Sequence, residues 1–232
     1  MNNVDTLGAE AGSVSVSVWD LPVRVFHWLL VVCIATSWAT AELGLMRVHF
    51  LSGYAILTLL LFRLGWGIIG SHPARFATFV KGPRAALEHL RELRLPPDQA
   101  PPTLGHNPLG GWMVVALLLV LLIQSGSGLF TSDDIMVDGP LVAQASGAVV
   151  KMLSTVHRLL FKLIFVLAAI HIAVVAAYLL FRRENLIRPM VTGRKAVPAG
   201  MKVASPRSSG LLSAALVFGL AVSLVILLLR TT

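Results

Sequence analysis

The stretch HRLLFKLIFVLAAIH, residues 157–171, decides the interpretation of this chain, because it is an apolar segment with a histidine at each end. On an α-helix fourteen residues make about four full turns, so His157 and His171 leave the same face about 21 Å apart along the axis. The apolar stretch around them, residues 156–181, is long enough to cross a bilayer. Two ionisable side chains within such a span indicate a functional site.

The composition of the whole chain is that of a membrane protein. Of its 232 residues, 56% are hydrophobic and 13% charged, against about 25% charged in a typical soluble domain. This excludes an ordinary soluble enzyme, a disordered chain and a fibrous repeat. Cys33 is the only cysteine, so the Cys-x-x-Cys-His signature of covalently attached haem is absent.

Five apolar stretches predict an all-α integral membrane bundle, a four-helix core with a fifth transmembrane helix. The predicted spans are residues 23–41, 50–70, 110–130, 156–181 and 211–229. The predicted organisation is a flexible N-terminal tail over residues 1–18, the core over 19–195, and a linker with the fifth helix over 196–232. Within span three, the small residues Ser125–Gly128 predict close helix packing.

The positive charge predicts the orientation of the chain. Twelve of the 19 Lys and Arg residues lie in two alternate loops, residues 71–109 and 182–209. Since positive loops stay in the cytoplasm, the N-terminus is predicted inside and the C-terminus in the periplasm, across a bacterial inner membrane. The net charge of +8 therefore reflects the orientation of the chain in the lipid membrane. It gives no reason to expect a nucleic-acid partner.

The first basic loop contains an amphipathic segment at residues 84–94, predicted to lie on the inner membrane surface. Prolines between residues 96 and 102 predict a stiff linker after it. His72 and His89 in this loop are expected to be solvated.

Two further histidines match the depths of the first two. His49 enters span two at the outer end, level with His157, and His27 lies toward the inner side, as does His171. This predicts an outer pair, His49–His157, and an inner pair, His27–His171. Haem b fits both pairs, because two neutral imidazoles fill the axial positions of the iron and suit electron transfer. Zinc or copper fits less well, since neither pair has a nearby thiolate or carboxylate.

The inner pair is the less exact match. His171 lies about 15 Å from the inner end of its predicted span and His27 about 6 Å. Helix tilt, or a first helix that begins before Pro22, would absorb the difference. The structural alternative for all four histidines is that each only bonds a neighbouring helix.

Several segments together resemble the bacterial cytochrome b561 family, which includes the cytochrome b subunits of nickel–iron hydrogenases and formate dehydrogenases. The resemblance covers roughly residues 19–195. The segments that carry it are PVRVFHW (22–28), RVHFLSG (47–53), LFRLGW (61–66), GHNP (105–108), His157-Arg158, Ile170-His171 and REN (183–185).

The resemblance implies two b haems, one held by helices one and four and the other by helices two and four, which are the same pairs that depth predicts. It also implies electron exchange between the quinone pool and a periplasmic redox partner, such as a cytochrome c or a hydrogenase or dehydrogenase subunit. The fifth span exceeds the four-helix core and has no ionisable residue within residues 211–229, which favours a lipid-facing or partner-facing anchor.

Two arginines are candidate partners of an inner haem propionate. Arg63 lies inside span two, about 10 Å from its inner end, where a charge is costly unless it is paired or reaches the headgroups. Arg24 precedes His27 by three residues and shares its face. The alternative for Arg63 is simple snorkelling to the headgroups.

Three more residues are candidates for binding cofactor or substrate. Arg158, near the outer pair with Lys162, would neutralise haem propionates or form a docking patch for an acidic partner. Gly53, one turn from His49, would admit the edge of the macrocycle. His106 would donate a hydrogen bond to a quinone carbonyl or to a propionate, or would only help to start the third span.

The sequence thus predicts a di-haem cytochrome b that serves as an electron-transfer subunit. One alternative is a self-sufficient oxidoreductase that passes electrons from a small reductant such as superoxide to quinone. Another is a membrane anchor of a periplasmic dehydrogenase, with structural histidines. A histidine-lined transporter is less favoured, because the spans lack Asp and Glu.

Overall fold

The computed structural model describes residues 13–92, 105–198 except 134 and 136, and 210–230. Two short 3₁₀ turns lie at His72–Ala74 and Val142–Gln144. The helices and strands are β1 (Ser13–Ser17), α1 (Leu21–Glu42), α2 (Met46–Ile69), α3 (Phe76–Phe79), α4 (Pro83–Glu92), α5 (Pro108–Gly128), α6 (Gly147–Phe181), α7 (Ile187–Thr192), β2 (Arg194–Pro198) and α8 (Leu211–Arg230).

Five of these helices, α1, α2, α5, α6 and α8, are long and apolar enough to cross a membrane. The predicted all-α membrane bundle is confirmed. Three of the five spans, those of α1, α5 and α8, match the predicted spans within two residues at their start, whereas α2 begins four residues earlier, at Met46. The largest difference is in α6, which has 35 residues and begins nine residues before the predicted span. Its first turns include Lys151 and are less apolar, but Val150 and Ser154 are buried there.

The two ends of the bundle are named after the charged residues of the segments that connect the helices there. The basic end is the one where α1 and α5 begin and α2 and α6 end, and it carries residues 71–92 and 182–198. The acidic end is formed by residues 43–45 and 129–146, which connect the same helices on the opposite side.

Helix α2 is the centre of the packing. Leu60 and Trp66 on this helix are completely buried, and α1, α5 and α8 all pack against it. The fifth helix lies directly against α2, since a Cβ on Gly65 would come within 2.8 Å of Val217 Cγ1. Phe62 and Phe218 also meet edge to face, with 5.9 Å between their ring centroids. Glycine at position 65 therefore permits the close approach of the added helix.

Asp20 joins the start of α1 to the end of α2. Its Oδ1 accepts a hydrogen bond of 2.8 Å from the backbone N–H of Val23 and so caps the helix. Its Oδ2 accepts from the indole N–H of Trp66 at 2.9 Å and from the hydroxyl of Ser71. One carboxylate thus satisfies three donors at the basic end, which fixes α1 and α2 relative to each other.

A small clamp closes the basic end. Strand β1 pairs antiparallel with β2, with Ser15 opposite Ala196, and the carbonyl of Gly193 accepts from the N–H groups of Val18 and Trp19. The prediction of a flexible tail over residues 1–18 is therefore wrong for Ser13–Ser17, whose alternating serines and valines form a strand; residues 1–12 lie outside the described residues. The predicted linker from residue 196 likewise begins inside β2, and residues 199–209 lie outside the described part.

Helix α4 turns a different face to the protein from the one that its leucines suggest. Leu87 and Leu90 are exposed, as an amphipathic helix on a membrane surface requires, whereas His89 is buried at 7% exposure. The expectation that His89 is solvated is therefore wrong, while His72 is exposed as expected. The predicted proline linker falls among residues 93–104, outside the described part of the chain.

We expect Asp20→Ala to lower the free energy of unfolding measurably. It removes the cap of α1, which is worth about 1 kcal/mol, and leaves the buried N–H of Trp66 without an acceptor, which costs about 1–3 kcal/mol. Asp20→Asn keeps a carbonyl oxygen for Val23 and should lose less. Thermal unfolding of the detergent-solubilised protein measures both, and equal melting temperatures for wild type and Asp20→Ala would contradict this role.

Candidate functional site

The four membrane histidines meet in two pairs, as their predicted depths require. The ring centroids of His49 and His157 are 6.3 Å apart, with 85° between the ring planes. Those of His27 and His171 are 6.5 Å apart, with 55° between the planes. Two metal–imidazole bonds of about 2.0–2.1 Å, together with the distance from each nitrogen to its ring centre, place two axial rings roughly 6 Å apart. Both spacings therefore suit one metal ion between two imidazoles.

The pair at the acidic end is held by backbone carbonyls on both sides. His49 Nδ1 donates to the carbonyl of Ser37 at 2.8 Å, and His157 Nδ1 donates to the carbonyl of Gln124 at 2.9 Å. A proton held on Nδ1 leaves Nε2 as the nitrogen with a free lone pair, which is the arrangement found around ligating histidines. Helices α1 and α5 therefore orient the two rings that α2 and α6 carry.

Gln124 also touches the nitrogen that a metal would use. Its side-chain Nε2 lies 3.2 Å from His157 Nε2 and donates to it, while its buried Oε1 has no hydrogen-bond partner. The amide N–H of Gln124 thus donates to the lone pair of His157 Nε2, while the carbonyl oxygen of the same amide accepts no hydrogen bond. Because the backbone carbonyl already holds the ring, the amide can leave without disturbing the orientation of His157.

A cavity of about 620 Å³ surrounds this pair, within the range of sites that take a large cofactor. Gly53 and Arg158 are among the residues that line it. A Cβ on Gly53 would meet no atom within 4 Å, so a side chain here would project into open space. Gly53 therefore keeps room for a planar group beside His49.

Gly128 lies directly behind the ring of His157. A Cβ at this position would come within 2.9 Å of His157 Cε1 and 3.2 Å of its Nδ1. The small residues of Ser125–Gly128 were expected only to allow helix packing, but Gly128 makes room for a site residue. Together with Ser37 and Gln124 it is one of the three residues that the sequence interpretation missed. The polar Gln124 inside an otherwise apolar span was the available signal.

The pair at the basic end has a different environment. His27 Nδ1 is buried and has no hydrogen-bond partner. Arg24, one turn earlier, donates from Nη1 to the carbonyl of Val191 at 2.5 Å, while its Nε is buried without a partner. Trp28 Nε1 donates to the carbonyl of Met190 at 3.2 Å. Arg24 therefore fastens α1 to α7 and retains a donor for another group.

Arg63 is a buried cation near this pair. It is 3% exposed, and its guanidinium lies 4.6 Å from the centroid of the Phe76 ring and 5.9 Å from that of Phe79. Its Nη1 is buried without a hydrogen-bond partner. Arg63 thus points into the protein and does not snorkel to the headgroups.

His106 packs between two aromatic rings at the entry to α5. Its ring centroid is 4.5 Å from that of Trp19 and 4.6 Å from that of Phe79. Burial, followed by the positive charge of Arg63 and by His171, lowers the pKa of His106 to about 3. The ring is therefore neutral, and its buried Nδ1 has no partner, so it is open to a hydrogen bond from or to a bound group.

The chemistry of these residues fits one haem group at each pair. Among the described residues, every buried side-chain polar atom without a partner lies at or next to one of the two pairs: Arg24 Nε, His27 Nδ1, Arg63 Nη1, His106 Nδ1 and Gln124 Oε1. Buried polar atoms are rarely left unsatisfied. At the basic end two of these four atoms, Arg24 Nε and Arg63 Nη1, are donors on cations, which suit propionate carboxylates. Two imidazoles per site are too few for a closed zinc site but fill the axial positions of haem.

We expect Gly128→Ala to disturb only the acidic-end pair. The new methyl group would displace the ring of His157 from the carbonyl of Gln124, so the haem of this pair should be lost or become heterogeneous while the other is kept. Gly126→Ala is the matched control, since a Cβ there meets no atom within 4 Å. Haem content per chain and the reduced-minus-oxidised spectrum measure both variants, and an unchanged spectrum in Gly128→Ala would contradict the assignment.

Comparison with known proteins gives one match. The family model described as prokaryotic cytochrome b561 matches residues 18–193, which is most of the chain and includes all four paired histidines. No curated protein and no solved structure matches the chain.

Proposed function

The chain belongs to the prokaryotic cytochrome b561 family, and from this premise we propose that it carries two b haems and exchanges electrons between a periplasmic redox partner and the membrane quinone pool. The family makes it a multi-pass membrane cytochrome of the b type that takes part in electron transfer. The number of haems, the residues that hold them and the two redox partners are the content of the proposal.

The observation that carries the proposal is the presence of two histidine pairs with nearly equal spacing. The separations of 6.3 Å and 6.5 Å both suit bis-imidazole coordination of one iron. His157 and His171 are fourteen residues apart on the unbroken helix α6, which places the pairs about 21 Å apart along its axis. When bound, haem supplies a reversible one-electron change at iron that is closed to other ligands.

The remaining candidates have distinct roles in this proposal. At the basic end Arg63 and Arg24 donate to propionates, and neutral His106 donates or accepts a hydrogen bond at a propionate or a quinone carbonyl. At the acidic end Gly53 leaves room for the macrocycle. Arg158 is exposed at the wall of the cavity, where it neutralises a propionate or meets an acidic partner.

The orientation follows from the charges of the two ends. Basic segments stay in the cytoplasm, so the pair His27–His171 is proposed to face the cytoplasm and the pair His49–His157 the periplasm of a bacterial inner membrane. A periplasmic protein then exchanges electrons at the acidic end. Quinone, which is soluble in the membrane, exchanges them and its protons at the basic end.

One observation favours a second function, that of a self-sufficient oxidoreductase for a small anionic reductant such as superoxide. Arg158 lines the acidic-end cavity, and a cation attracts an anion to this site. Glu42 and Asp133 line the same cavity and oppose that attraction. Reduction of quinone by the purified protein with superoxide alone, and its loss in Arg158→Glu, would favour this function over a protein partner.

The histidine assignments are tested by haem content. We expect two b haems per wild-type chain, loss of the basic-end haem in His171→Ala, and loss of the acidic-end haem in His157→Ala, because each variant removes one axial ligand. A haem assay of the purified proteins and their reduced-minus-oxidised spectra measure this. His72→Gln, which changes an exposed histidine, should keep both haems.

Full haem content in His171→Ala would show that the basic-end pair does not bind iron. A wild-type protein without a reduced b-type band would instead support the anchor function with structural histidines. Oxidation of the reduced holoprotein by a quinone analogue tests the quinone half of the proposal separately.

A further inference from the structure

A second polar network lies at the basic end, outside the two histidine pairs. His89 Nδ1 is 3.0 Å from Glu92 Oε2, and His89 Nε2 is 3.0 Å from the hydroxyl of Tyr178. Asn107 Nδ2 donates to the same hydroxyl at 2.7 Å. The network joins three helices, because His89 and Glu92 belong to α4, Asn107 caps α5, and Tyr178 lies near the end of α6.

The hydrogen bonds of this network have a defined direction. Asn107 Oδ1 accepts from the backbone N–H of Gly110 at 2.7 Å, which fixes the amide so that Nδ2 must donate to Tyr178. A carboxylate accepts, so His89 donates from Nδ1 to Glu92. Its Nε2 then accepts from the hydroxyl of Tyr178. Carboxylate, imidazole and phenol are therefore linked in one chain of hydrogen bonds.

These hydrogen bonds lead from solvent into the protein. The side chain of Glu92 is 39% exposed, whereas His89 and Tyr178 are 7% and 8% exposed. Tyr178 follows His171 by seven residues, two helical turns, so the two share a face about 10 Å apart along α6. Asn107 directly follows His106, which interacts electrostatically with Arg63 and with His171 of the basic-end pair. The buried end of the network thus lies beside the site where quinone is proposed to react.

We propose that Glu92, His89 and Tyr178 form the proton path between the cytoplasm and the quinone site, with Asn107 as the positioning residue of the phenol. This inference rests on the proposed function, because it concerns how quinone obtains its protons. Reduction of a quinone to a quinol takes up two electrons, supplied by the reduced cytochrome, and two protons, which convert its two carbonyl oxygens to hydroxyls. Both protons are drawn from cytoplasmic water, and the path is used once for each.

Each transfer begins when a proton from water protonates Glu92 and the proton of His89 exchanges from Nδ1 to Nε2. Glu92 then donates to Nδ1, and Nε2 donates to Tyr178. The phenol oxygen now accepts from both His89 and Asn107, so its own O–H is released to donate toward quinone, directly or through water. Tyr178 gives this proton to the quinone oxygen and takes the Nε2 proton of His89, whose Nδ1 takes the proton of Glu92. The carboxylate, the imidazole with its proton on Nδ1 and the phenol are thereby restored.

The charged groups around the phenol are compatible with such a path. Two carboxylates, Glu184 and Glu92, and one cation, Arg182, act electrostatically on Tyr178. Glu92 is also hydrogen-bonded to His89, so the carboxyl group that takes up the proton is in direct contact with the imidazole.

The test is the reoxidation of the reduced holoprotein by a water-soluble quinone analogue, followed at the b band. We expect Tyr178→Phe and His89→Ala to slow it by roughly 100-fold or more, the lower end of the effects of positioned proton transfer, with normal haem content. Added imidazole should restore the rate of His89→Ala, because a diffusible base replaces the missing ring. His72→Ala, at an exposed histidine, is the matched control. It should be reoxidised at the wild-type rate, with or without added imidazole.

The outcomes separate the path from the function. Wild-type rates in both variants, or a slow His89→Ala protein that imidazole does not restore, would overturn the proton path while leaving the proposed function in place. A wild-type reduced protein that no quinone analogue oxidises would overturn the proposed function itself.

The resting hydrogen bonds give a second readout that needs no turnover. Nitrogen NMR of histidine-labelled holoprotein, assigned by comparison with His89→Ala, should show His89 protonated at Nδ1 and accepting at Nε2, with the Nε2 signal shifted in Tyr178→Phe. A resting proton on Nε2 would contradict the path as written.

Discussion

Both histidine pairs depend on α6 being one unbroken helix. Its 35 residues extend about 52 Å at 1.5 Å per residue, which exceeds the hydrocarbon thickness of about 30 Å. A helix without a kink fixes the depth and the direction of His157 and His171 together, because any break would rotate one ring away from the other. The other helices then have only to bring one histidine each to the correct level, His49 from α2 and His27 from α1. The carboxylate of Asp20 joins those two helices at the basic end, and the hydrogen bond from Trp66 keeps their relative position.

The two pairs are built differently, in line with their proposed partners. At the acidic end, backbone carbonyls orient both imidazoles and the cavity around them holds about 620 Å³, so this site is preorganised and accessible. At the basic end, the pair lies among buried groups that still lack partners, including Arg63 and His106. Preorganised ligands favour rapid one-electron exchange with a docking protein, since little has to move. A site that contains unpaired donors next to the proposed proton path suits a substrate such as quinone, which changes its protonation as well as its charge.

Periodicity and hydropathy were sufficient to predict the helices and to match the histidines by depth, because both are properties of single segments. Neither property could predict the orientation of His157, because it depends on the carbonyl of Gln124 and on the missing side chain of Gly128, which belong to another helix. Strand β1 was also missed, because its partner β2 is about 180 residues away in the chain. His89 was expected to be solvated because it lies in the basic loop outside the spans, but the leucines of α4 are exposed and its histidine contacts Tyr178. In each case a tertiary contact decided what the local pattern left open.

Arg63 supplies the physical reason for proposing that the basic end binds an anion. Removing a guanidinium from water costs several kcal/mol, and contact with the ring of Phe76 recovers about 2 kcal/mol. Asp20 attracts Arg63, but both oxygens of this carboxylate already accept hydrogen bonds from Val23, Trp66 and Ser71. A carboxylate delivered by a cofactor would satisfy Nη1 where no side chain does. Since a group that binds only the folded state stabilises it, loading of the basic-end site and stability of the bundle should rise together, and Arg63 is the residue through which they are coupled.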